Sequence, residues 1–180
     1  MTWAELIDWS YWVHSILGGA HFGSALAALL LGPVLFFRRK GTMFHRLAGY
    51  GYVLSMLTVN ITALTMYDFT GRPNLFHVFA VMSLASLLPA MWALQRGVRL
   101  KSDRLLEVHA RLMMWSYFGL AAAGLAQVAT RLLPPLLGSF GQAALAIGVA
   151  LFAASAVCWV IFKLAAPRLA KRYSFAQLEG

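Results

Sequence analysis

The chain has 180 residues, 61% of them hydrophobic and 12% charged, whereas about a quarter of a water-soluble domain is charged. Its apolar runs reach the roughly 20 residues that cross a bilayer, which excludes a soluble enzyme and leaves one integral membrane domain over residues 1–180. The net charge of +9 does not point to nucleic acid, because the basic residues stand in blocks at the ends of the apolar runs.

Five spans are expected, at about 14–37, 45–66, 75–95, 108–131 and 141–165. Ahead of the first, Trp3, Trp9, Tyr11 and Trp12 suit an outer headgroup region, and His14 reads as a rim residue among them. A cleaved signal peptide is not expected, since a basic n-region is lacking and Glu5 and Asp8 precede the span. The first span carries His21, bracketed by Gly18, Gly19 and Gly23, which permit close approach of a helix or a flat ligand. Pro33 is expected to kink its far end.

The second span opens with His45 and Arg46, and its Thr58, Asn60, Thr62 and Thr65 form a polar stripe suited to interhelical hydrogen bonds. The segment DFTGRPN, with Gly71 and Pro73, is a turn. The third span places His77 near its start and Pro89 inside it. The basic loop GVRLKSDRLLEV then leads to the fourth span with His109 and Arg111, which Pro134 and Pro135 are expected to end. The fifth lacks histidine and reads as a peripheral packing helix. Its Cys158 is the one cysteine, which rules out a disulfide framework or thiolate cluster. The expected fold is all-α: a four-helix up-down transmembrane bundle plus a fifth, peripheral transmembrane helix.

Charge sets the orientation. Arg38, Arg39, Lys40 and Arg46 flank the first connection, Arg96, Arg99, Lys101, Arg104 and Arg111 the third, and Lys163, Arg168, Lys171 and Arg172 follow the last span. Only Arg72 and Arg131 are left for the other side. Basic residues mark the cytoplasmic side, so the N-terminus is expected outside and the C-terminus inside.

Histidines inside hydrocarbon are costly and by default functional. Here His21, His45, His77 and His109 fall one to a span and at alternating ends, giving two levels roughly 20 Å apart in a hydrocarbon layer of about 30 Å. In an up-down bundle the first and third helices are diagonal, as are the second and fourth. His21 then faces His77, and His45 faces His109, the layout for two bis-imidazole haems. A single zinc ion, with ligand bonds near 2 Å, cannot gather four residues from two levels. Ala25 and Gly49, one turn beyond His21 and His45, leave room for a wide macrocycle; Val81 and Met113 take the equivalent places beside His77 and His109. Helix N-termini keep His45, His77 and His109 neutral for metal binding. Arg46 and Arg111 are placed to pair with haem propionates, and equally read as plain positive-inside charge. Each histidine taken singly also reads as an interhelical hydrogen-bonding residue.

The strings HFGSALAALLLGP, HRLAGYGYVLSMLT, LFHVFAVMSLAS and HARLMMWSYFGLAAAGLAQVATR resemble a bacterial family of predicted membrane proteins of unknown function, domain-of-unknown-function family 2306. Its pattern matches here at His21, His45, Arg46, Gly49, Tyr52, His77, His109, Arg111, Met113 and Arg131. The alternation of histidines is also similar in architecture to the two-haem transmembrane cytochrome b superfamily. That likeness implies two haem b groups, electron transfer across a bacterial inner membrane, and a quinol or small reductant as donor. A quinone site at one rim is expected beside Gln127 and Arg131, and a redox partner protein is a further expected contact besides the bilayer.

Two other functions stay open on the sequence. One is a zinc-dependent membrane enzyme at the cytoplasmic rim, using His45, His109, Glu107 and Asp103, although Glu107 and His109 are two apart and point away from each other on a helix. The other is a non-catalytic subunit or small transporter whose histidines tie helices together.

Overall fold

The computed structural model describes residues 13, 15–67, 75–137 and 160, and within them four helices and no strand. They are α1 (Ile16–Phe37), α2 (Met43–Thr65), α3 (Leu75–Arg99) and α4 (Asp103–Leu137). Ranges α1 to α3 keep close to the expected spans, and by length and composition Ile16–Phe37, Met43–Thr65 and Phe76–Arg99 can each cross a membrane. The expected span 108–131 lies within α4. The fifth span (apart from residue 160), Cys158, His14, the leading aromatics and the turn at 68–74 fall outside the described residues.

Local chemistry sets the helix ends. Ser15 caps α1 by accepting from Gly18 N at 3.0 Å, and Thr42 caps α2 by accepting from His45 N at 3.2 Å. Lys40 Nζ donates to the Leu35 and Phe36 carbonyls that close α1, at 2.5 and 2.8 Å. The third connection is shorter than its sequence suggests. Helix α3 ends in a Schellman motif, with Ser102 N on Gly97 O at 2.9 Å and Lys101 N on Val98 O at 3.4 Å. Lys101 takes the left-handed conformation there (φ 49°), and α4 begins at Asp103. At its other end α4 continues to Leu137, past Pro134 and Pro135 where the sequence predicted its end. Proline's fixed φ is compatible with a helix, so each ring costs a hydrogen bond without forcing a stop.

The helices alternate in direction. Leu31 meets Gly51 and Thr62 meets His21, pairing α1 antiparallel to α2. Asn60 with Ser83, and Tyr67 with His77, do the same for α2 and α3. Ala90 with His109 and Gly97 with Leu106 join α3 to α4, and Gly32 and Leu29 join α1 to α4 at Tyr117. The closely packed pairs are therefore α1–α2, α2–α3, α3–α4 and α1–α4. Helices α2 and α4 run parallel, and the two basic connections share one end.

The shared core contains Ala28, Leu35, Tyr52, Met56, Val59, Leu87 and Leu120. Outward faces expose Leu30, Leu54, Val81, Trp92 and Leu125 among others, a band of apolar side chains that suits lipid. Pro33 withholds the N–H that the Leu29 carbonyl takes in a regular helix, and the Tyr117 hydroxyl donates to that carbonyl instead at 3.3 Å. The Tyr117 ring lies so close over Gly32 that a Cβ there would overlap it.

Candidate functional site

The register places the histidines. From His45 in the first turn of α2 to Thr62 near its end is 17 residues, roughly 25 Å at about 1.5 Å each. His21 is level with Thr62, its Nδ1 2.8 Å from Thr62 Oγ1. His77 packs against Tyr67 with the rings tilted by 39° and their centroids 4.8 Å apart, just beyond the end of α2. His21 and His77 thus share one end of the bundle, as the sequence indicates. They are not level, however: the pairing of Asn60 with Ser83 sets Thr62 opposite residue 81 or so, and His77 lies about one turn, ~6 Å, further out.

His45 and His109 are better matched. Tyr52 Oη and Ser116 Oγ meet at 3.1 Å, and each histidine stands seven residues before its partner in that bond, two turns back on the same face. His45 lies within electrostatic reach of both His109 and Lys40. Both histidines begin inward stripes: Tyr52, Met56 and Val59 follow His45 into the core, and Met113, Ser116 and Leu120 follow His109.

Hydrogen bonds fix which ring nitrogen is basic. His109 Nδ1 lies 2.9 Å from Ala90 O, and a carbonyl only accepts, so Nδ1 carries the proton and Nε2 the lone pair. Thr62 Oγ1 also lies 2.7 and 3.0 Å from the carbonyls of Thr58 and Val59; with its hydroxyl proton on one of them, it accepts from His21 Nδ1. His21 therefore also presents a bare Nε2. An Nδ1–H held by oxygen is the outer partner that ligating histidines commonly have. His45 Nδ1 is buried and makes no hydrogen bond. Beside it, a Cβ on half-buried Gly49 would meet nothing within 4 Å. A buried ring nitrogen without a hydrogen bond, on the inward stripe of α2, is a donor that a metal-bound group could take up.

The remaining expectations divide. Ala25 and Met113 are partly buried and pack against the core; Val81 is exposed. Arg46 is exposed. Arg111 is half exposed and bound to Glu107, one turn earlier on α4, so a propionate would have to displace that carboxylate. Among the described residues no group of three His, Cys, Asp or Glu converges to hold a metal ion, and Glu107 is turned to Arg111 instead of His109. Gln127 is half-buried on α4, and Arg131 follows one turn later in the same helix.

Sequence reasoning missed Thr62 as the partner of His21, Lys40 as a charge fixed beside His45, and the Tyr52–Ser116 pair. The seven-residue offset shared by His45–Tyr52 and His109–Ser116 was the available signal for the last.

A family model described as a predicted membrane protein (DUF2306) matches residues 19–169. No curated protein and no solved structure matches the chain.

Proposed function

The chain belongs to the family of predicted membrane proteins DUF2306, and we propose that it is a b-type cytochrome holding two haems and carrying electrons across a bacterial inner membrane. His45 and His109 are the axial ligands at the end with the basic connections, which faces the cytoplasm. His21 and His77 are the ligands at the outer end. Bound haem supplies a one-electron couple at each level. The protein presents imidazole nitrogens, orients those of His21 and His109 through Thr62 and the Ala90 carbonyl, and keeps them among apolar side chains. A quinone at one rim and a docked redox protein are the exchange partners this reading calls for.

The observation that carries the proposal is the pair of rings, His21 and His109, on helices α1 and α4 and at opposite ends, each with Nδ1 held within hydrogen-bond distance of an oxygen. The same two bonds favour a second reading, in which the histidines tie helices together and bind nothing. Expression with haem supplied, purification, and spectra of the oxidised and dithionite-reduced protein separate the two. A Soret band with about two haems per chain is expected; a colourless, folded protein would leave the tie reading.

A further inference from the structure

Tyr52 and Ser116 form a polar pair in the interior to which the haem reading assigns no task. They are 2% and 1% exposed, and a buried hydroxyl offers little over an apolar residue of the same shape unless its bond does something packing cannot. Helices α2 and α4 are diagonal to each other and absent from the closely packed pairs. With touching helices 8–10 Å apart, a diagonal is roughly 11–14 Å, too wide for ordinary aliphatic contact. A long side chain from α2 and a short one from α4 close that gap with one directional bond of 3.1 Å.

The bond sits two turns, about 10.5 Å, beyond His45 and His109, on the faces those rings occupy. Between the levels come Gly49, with open space beside it, and Met113, packed on the core. Without a tie, α2 and α4 could close onto that space or spread from it, and either movement would take one imidazole off the axis of the other. We propose that the Tyr52–Ser116 hydrogen bond is a strut that sets the separation between α2 and α4 at which His45 and His109 reach the same iron. Tyr52 and Ser116 are positioning residues and touch neither ligand. This inference rests on the haem reading.

The test compares the wild-type protein with Tyr52→Phe, Ser116→Ala and Ser116→Thr, each expressed with haem, using haem stoichiometry, optical spectra and low-temperature electron paramagnetic resonance. The haem that His45→Ala removes should turn from low-spin to high-spin, or fall at least threefold in occupancy, in Tyr52→Phe and Ser116→Ala. The haem that His21→Ala removes should stay as in the wild type, which also shows that the variants fold. Ser116→Thr, which keeps the hydroxyl, should restore the low-spin signal. Wild-type spectra for both haems in both disruptive variants would overturn the strut while leaving the cytochrome standing, as would equal loss of both haems, which marks general destabilisation. A wild-type protein without a Soret band would overturn the cytochrome reading itself.

Discussion

At the end of the bundle where α2 and α4 begin, two histidines lie level on inward stripes, beside an open space and a lysine fixed on the last carbonyls of α1. At the other end His21 and His77 are offset by about a turn and held by a hydroxyl and an aromatic ring. Four histidines 24, 32 and 32 residues apart in sequence therefore stand in two unlike settings. The difference teaches that depth in a membrane helix is set by the partners of the whole helix, and equal counting from the loops does not guarantee that two side chains meet. The near site needs only the bundle around it. The far site depends on how its rings reach along the axis.

The largest expected effects come from the ligands themselves. His45→Ala or His109→Ala should each abolish one haem and halve the haem content, with His21→Ala and His77→Ala removing the other; haem assay on the four purified variants checks this. If His45→Ala and His77→Ala removed the same haem, the division into near and far ends would be broken. Next, Thr62→Val keeps the shape but removes the acceptor for His21 Nδ1. It should weaken haem retention at the far end about 10- to 100-fold, the usual effect of losing a ligand's outer partner, with the near haem unchanged in a haem-transfer assay.

A smaller effect is expected from Lys40→Gln. A positive charge near His45 favours the reduced, less positive centre, so its loss should lower the near haem's midpoint potential by on the order of tens of millivolts and leave the far haem's where it was. Redox titration resolves the two. Smallest is Lys101→Gly, which relieves a left-handed backbone at a lysine and should raise stability by about 1 kcal/mol with no change in either spectrum, as thermal unfolding in detergent would read.

Much of the helix plan is legible in the sequence because span length and basic clusters are properties of single segments. The errors arise where a distant residue decides. Pro134 and Pro135 do not stop α4, because proline is a strong signal only when the chain has no reason to continue. Ala25 packs partly buried on a core drawn from other helices, which its own segment does not announce. The Glu107–Arg111 pair, one turn apart on α4, is by contrast a local contact that the spacing contains. The level match of His45 and His109 was legible as alternation, but the one-turn offset of His21 and His77 follows from how Asn60 meets Ser83, which no count along either helix contains.

Pro33 has a consequence for how the chain is made. The carbonyl that it strips of a donor belongs to Leu29, and the phenol that fills it comes from Tyr117, 88 residues later. A nascent chain that has inserted only its first hairpin thus carries an acceptor in oil without the donor that finally satisfies it. One hydrogen bond of the first helix is thus completed by the last described one, however well its other contacts form beforehand.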